Sequence, residues 1–152
     1  TIENRGAIPR ELRQRLGNWI FGCDICNEVC PWNGEPAPLN VPHDLMPRLP
    51  ELLALDDAGF SRRFTVSAVK RVKRRGLLRN AAVALGNSHN PAAIAPLART
   101  LEGEREPLIR SHAAWALGQI GGVDARRHLE RALGRDDDTA VRSEAAAALE
   151  TI

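Results

Sequence analysis

At 152 residues, 43% hydrophobic and with a net charge of +2, the chain can form one compact core or a small lead-in module joined to a repeat array, and its total charge names no partner. Only 4% of its residues are aromatic and none is tyrosine, so the core has to be built from aliphatic side chains and alanine. No run approaches the roughly 18 apolar residues of a membrane span and no signal-like stretch opens the chain, which predicts a soluble, cytoplasmic protein; the start at Thr1, with Met46 the sole methionine, suggests truncation.

The first predicted element is a short helix over residues 9–16, with Pro9 at a first-turn position, Leu12 and Leu16 on one face and Gly17-Asn18 ending it. It delivers the chain into Trp19-Ile20-Phe21 and then GCDICNEVCPWN, which holds all three cysteines, Cys23, Cys26 and Cys30. The spacing C-x2-C-x3-C-P reproduces the second half of the bacterial ferredoxin run C-x2-C-x2-C-x3-C-P, in which the last thiolate serves a neighbouring cubane. Ile20 stands where the first cysteine of that run belongs. Cys23 and Cys26 alone leave a [4Fe–4S] cluster two ligands short, so the missing thiolates are expected outside this chain. On the residues alone three other arrangements stay open: a thioredoxin-like redox pair, a zinc site with His43 nearby, and structural cysteines or a disulfide. Trp19 and Trp32 beside the cysteines either keep water from a cluster or simply shield a core.

Residues 31–50 carry Pro31, Pro36, Pro38, Pro42, Pro47 and Pro50, together with Asn33-Gly34, which predicts an extended or turning linker and then a short helix near 50–55. Charge is segregated further on. Residues 58–101 contain no Asp or Glu but nine basic residues, whereas the remainder has twelve basic against nineteen acidic, a net −7. Such a segment attracts a polyanion. On a helix, Val66, Val69 and Val72 would form one apolar edge while Lys70, Lys73 and Arg74 face elsewhere.

Beyond residue 76 the sequence repeats. RNAAVALGN from Arg79 aligns with RSHAAWALGQ from Arg110, given one inserted residue ahead of the alanines, and with RSEAAAAL from Arg142, offsets of 31 and 32 residues. Apolar-periodic stretches from Pro91 to Leu101 and from Asp124 to Leu133 precede the later copies, giving two helices per unit and no strand. These units resemble the short HEAT-like repeats of phycobilisome-lyase relatives. Arg79, Arg110 and Arg142 are expected to pair with carboxylates or helix ends of the adjacent unit, Trp115 to pack at an alanine site, and His112 to lie on a surface or interface.

The opening TIENRGAIPRELRQRLGNWIFGCDICNEVCPWN, the segment RGLLRNAAVALGN and the repeats after it together resemble the C-terminal half of epoxyqueuosine reductase, over essentially all 152 residues. The resemblance implies a mainly α fold: the end of a ferredoxin-like cluster region over 1–40, a linker and short helix over 41–60, and HEAT-like repeats over 61–152. It implies an oxidoreductase that reduces epoxyqueuosine to queuosine in the tRNA anticodon loop, using two [4Fe–4S] clusters and cobalamin. Cys23 and Cys26 would then ligate the cluster nearer the cobalamin, Cys30 would complete the other, and the Cys23-Asp24 segment would lie against the corrin. Arg5 matches a tRNA-facing position, and Arg62, Arg63, Lys70, Arg71, Lys73, Arg74 and Arg75 would extend that footprint. The catalytic residue and five of eight cluster cysteines would precede this segment, leaving it inactive alone and monomeric when complete, with an electron donor that the residues do not name. The alternative is a non-catalytic electron-transfer or scaffold protein.

Overall fold

The computed structural model describes residues 2–23, 25–33 and 48–152. Every regular element among them is helical. Helix α1 (Arg10–Arg13) continues into a 3-10 turn at Gln14–Leu16 and is followed by α2 (Ile25–Glu28), α3 (Leu49–Leu53) and α4 (Asp57–Arg63). A 3-10 turn at Ala68–Val72 leads into α5 (Lys73–Asn87), and another at Pro91–Ala93 into α6 (Ile94–Gly103); α7 (Pro107–Ile120), α8 (Val123–Arg135) and α9 (Thr139–Leu149) complete the array. The short helices expected at 9–16 and 50–55 are both present, and most of the proline-rich linker, 34–47, lies outside the described residues.

Local chemistry sets the helix starts. Asp56 accepts the Gly59 N–H at 2.6 Å, Asn90 that of Ala92 at 2.9 Å, and Asp138 those of Ala140 and Val141 at 2.8 and 3.2 Å, each satisfying a donor that the first turn leaves orphaned. Pro91 and Pro107 occupy first-turn positions that need no donor. Gly121 and Gly122, at φ +71° and +92°, reverse the chain between α7 and α8 in a conformation that L side chains rarely adopt.

The helices form two layers, with α5, α7 and α9 side by side in one and α3, α6 and α8 in the other. Leu77, Leu78, Leu97, Leu101, Ile109, Leu117 and Leu129 fill the space between, and the alanines of α5 and α7 are fully buried. Ile8, from the N-terminal segment, belongs to the same core.

The geometry also fixes the repeat register. A Cβ built on Gly86 would stand 2.8 Å from Ala116 Cα, and one on Gly118 would stand 3.0 Å from Ala148 Cα. Both contacts relate by 32 residues, so the expected insertion ahead of the alanines is corrected: α5 and α7 are uninterrupted, and an extra residue would rotate everything after it by about 100°. In this register Arg110 and Arg142 are equivalent, whereas Arg79 falls opposite Ser111. The arginine expectation holds for Arg110, whose guanidinium grips Asp136 at 2.8 and 2.9 Å and Asp137 at 2.7 Å, whereas Arg142 reaches a helix end of its own unit, donating to the Asp136 carbonyl at 2.6 Å. Arg79 is wholly buried and donates to carbonyls of the N-terminal segment.

The predicted helical edge of Val66, Val69 and Val72 is also corrected. Ser67 caps a 3-10 turn, the backbone breaks at Lys73 with φ +62°, and α5 starts there. Val72 is buried while Val66 is fully exposed, as expected when the three do not share one helix.

Candidate cluster loop and nucleic-acid interface

Gly17 (φ +52°) ends the first helical segment, and Gly22 (φ +64°) turns the chain into Cys23. Cys26 sits within α2, whose last turn is extended by hydrogen bonds from Val29 N–H to Ile25 O (3.0 Å) and from Cys30 N–H to Asn27 O (3.4 Å). Asn33 closes the loop, donating its amide N–H to Cys30 O and its side-chain N–H to Asn27 O at 3.0 and 3.1 Å. All three thiols are free; Cys23 and Cys26 are exposed and Cys30 is half-buried. Asp24 lies outside the described residues. Three accessible thiols on one short loop suit iron–sulfur ligation, but among the described residues no group of three His, Cys, Asp or Glu is arranged to hold a metal ion.

Apolar side chains stand out beside the loop. Ile25, Val29 and Trp32 are exposed, Trp32 at 92%, and a cleft of about 480 Å³ beside Cys23 is walled by Ile2, Leu16 and Trp19 together with the polar Glu3, Asn4 and Arg15. Trp19 is also exposed, so neither tryptophan shields a core within the described residues. Trp115 does pack at an alanine position, against Gly86.

What holds this loop in place was invisible in the sequence. Ile8 donates its N–H to Nε2 of His112 at 3.1 Å, and the His112 Nδ1–H meets the Leu108 carbonyl at 2.7 Å, so the ring is neutral and fully buried. Burial, then the charge of Arg13, pushes the His112 pKa down to about 3, against the raising effect of the Leu108 bond. His112 is thus an internal interface residue and not a surface one. Arg13 forks onto both Glu144 oxygens at 2.9 and 3.2 Å, donates from Nε to the Ile8 carbonyl, and lies 5.5 Å above the Trp115 ring; Arg10 adds a second contact to Glu144. Asn80 donates to Ile20 O, Asn87 to the carbonyls of Arg13 and Gly17, and Gln14 to Gln119. Arg79 donates to the carbonyls of Asn4 and Gly6 at 2.8 and 2.6 Å, and burial followed by the charges of Arg75 and Arg5 lowers its pKa to about 10.

The basic segment divides into two kinds of residue. Arg62, Arg63, Lys70 and Lys73 are exposed, with no ion pair among the described residues. Arg71 pairs with Glu3 and its carbonyl accepts from Arg5; Arg75 pairs with Glu106 at 3.2 Å across an exposed gap. Arg74 is different. It is half-buried, donates to the Leu55 carbonyl at 2.6 Å and forks onto Glu104, tying α5 to the turn before α7. Burial pushes the Glu104 carboxyl up, but Arg74 and the Glu106 N–H outweigh it and hold its pKa below the usual range.

Residues 68–150 match the HEAT-repeat family and residues 1–33 match the 4Fe-4S double cluster binding domain. The chain is 41% identical over 126 residues to the epoxyqueuosine reductase of Escherichia coli (strain K12), covering 78% of this chain and 33% of that protein. It is 39% identical over 127 residues to the epoxyqueuosine reductase of Xanthomonas campestris pv. campestris, covering 80% and 36%. It superposes with a TM-score of 0.87 and 31% identity, over 99% of its length and 42% of the other, on a crystal structure of epoxyqueuosine reductase with a tRNA-Tyr epoxyqueuosine-modified tRNA stem loop. The chain therefore spans about a third to two fifths of the length of these relatives.

Proposed function

Because the chain belongs to the HEAT-repeat family and corresponds to part of an epoxyqueuosine reductase, we propose that, within the complete enzyme, it takes part in reducing epoxyqueuosine to queuosine in the tRNA anticodon loop, in the cytoplasm. The single observation that carries this reading is the pairing, in one chain, of an accessible three-thiol loop with a repeat array bearing exposed cations. A non-catalytic electron-transfer or scaffold protein would also join such a loop to the array, and the relatives over this same stretch favour the reductase.

In this reading 1–40 is the end of the cluster region, 41–60 the linker and 61–152 the repeats. Cys23 and Cys26 ligate one [4Fe–4S] cluster and Cys30 the other, with the remaining ligands supplied by parts of the enzyme outside this chain. The clusters supply one-electron transfer, and cobalamin, when bound against Cys23 and Asp24, supplies the strongly reducing centre. No helix among the described residues is long and apolar enough to cross a membrane, in keeping with a tRNA-modifying enzyme.

The nucleic-acid contact falls to Arg5, Arg62, Arg63, Lys70, Arg71, Lys73 and Arg75 at the surface, with Arg74 bracing them from beneath through Glu104. Their charge releases counterions when phosphates bind. The test is to replace Arg62, Arg63, Lys70 and Lys73 with glutamine in the complete enzyme and measure stem-loop affinity against salt. The slope of log affinity on log salt should flatten by about 3. An unchanged slope removes this surface from the footprint.

A further inference from the structure

The 32-residue register set by the glycine contacts makes Asn80, His112 and Glu144 equivalent positions, one on each of α5, α7 and α9. The three share no chemistry: a carboxamide, an imidazole and a carboxylate. Yet each is buried, at 1%, 0% and 8% exposure, and each is engaged by the N-terminal segment, through Ile20 O, Ile8 N–H and Arg13. Asn87 and Gln119 are also 32 apart and stand seven residues, two turns, beyond Asn80 and His112, on the same helix faces. They too bind that segment, at the carbonyls of Arg13 and Gly17 and at the Gln14 side chain.

We infer that this row of register-equivalent polar residues is an internal docking site that fixes the cysteine loop relative to the basic surface. Asn80, His112 and Glu144 are then positioning residues for electron delivery to the bound tRNA. Electron delivery rests on the proposed reductase reading; the docking itself stands on the contacts. A repeat array that merely stacked would put an apolar residue at these positions, as it does at the next position of each helix, Ala81, Ala113 and Ala145. Instead three polar groups are buried and matched one by one to partners on a segment that ends at Cys23, and burying a polar group is favourable only where such a partner waits. Orientation follows from chemistry at each end. His112 is held as acceptor toward Ile8 by its donation to Leu108, and Arg13 is held by a two-oxygen fork.

The experiment uses the complete enzyme, a chemical reductant and an epoxyqueuosine-modified tRNA stem loop. His112→Leu removes the acceptor for Ile8, and His112→Gln restores one through its carboxamide oxygen. His112→Leu should lower kcat about tenfold or more, because a small misplacement of reacting groups carries a large penalty, while stem-loop Kd and iron content stay within about twofold of wild type. His112→Gln should recover most of the loss. A wild-type kcat in His112→Leu, a loss carried by stem-loop affinity, or a defect that His112→Gln does not relieve would each overturn the inference. Hydrogen exchange on the wild-type enzyme decides the matter if His112→Leu fails to fold: the Ile8 amide should be protected like the α7 amides, and fast exchange there would overturn the docking site. If wild type lacks reductase activity altogether, the proposed function falls while the exchange result still judges the docking.

Discussion

The repeat array and the cysteine loop are built on opposite principles. The array is self-contained and redundant: the inward alanines and leucines of α5 and α7 are buried, Gly86 and Gly118 meet backbone of the next unit, and a carboxylate in one turn holds an arginine of the preceding unit, as in Arg74 with Glu104 and Arg110 with Asp136. The loop is thin. Its described residues hold one four-residue helix, exposed thiols at Cys23 and Cys26, and exposed Ile25, Val29 and Trp32. The lesson is that the array stabilises itself, whereas the loop borrows its position from anchors that lie before it in the chain and are seated on the array.

Substitutions can break that division at its seam or sharpen it on either side. The largest expected effect is at the seam. Glu144→Ala strands the Arg13 guanidinium in a buried site and should destabilise the docked segment by about 3 kcal/mol or more, read as lost hydrogen-exchange protection over 8–20 with α5 and α7 still protected. Within the array, Gly118→Val drives a side chain into the Ala148 backbone and should cost about 2–3 kcal/mol in chemical denaturation, lowering the stability of the repeats themselves. Acid should act on the seam before the array. His112 is neutral when folded, with a pKa near 3, and regains its ordinary value of 6.5 when released, so the unfolded chain binds the extra proton. Its contribution is complete above about pH 6.5 and declines as pH falls toward 3, by up to about 1.4 kcal/mol per pH unit, and His112→Gln should flatten that part of the pH–stability curve. Smallest is Asp138→Ala, which removes an N-cap from the outermost α9 and should lower stability by about 1 kcal/mol with no effect on the loop.

Much of the array was legible in the residues. Periodic leucines, in-register alanines and a period near 32 announce stacked helical pairs, because each unit must bury the same face against its neighbour. The cysteine spacing pointed to a ferredoxin-like run while leaving other thiol chemistry open, and the match of residues 1–33 to the 4Fe-4S double cluster binding domain favours the former. The anchors were not legible, because their position in the register is occupied by Asn80, His112 and Glu144, which have nothing in common until the 32-residue alignment is known. Aligning the repeats on Arg79 and Arg110 hid that row by one residue. The Gly86 and Gly118 contacts, which reveal it, are properties of packing rather than of pattern. Nor could sequence distinguish Arg74 from its neighbours in a basic run, since only the fold brings Glu104 and the Leu55 carbonyl to it.

The account rests on the thiols of this chain serving two different cubanes together with donors elsewhere in the enzyme. Iron and acid-labile sulfide should be measured on the anaerobically prepared complete enzyme and on its Cys23→Ser and Cys30→Ser variants. The account predicts two [4Fe–4S] clusters in the parent and the loss or conversion of one, not both, in each variant. A parent containing zinc or no iron, or variants that keep the parent's full cluster content, would contradict it.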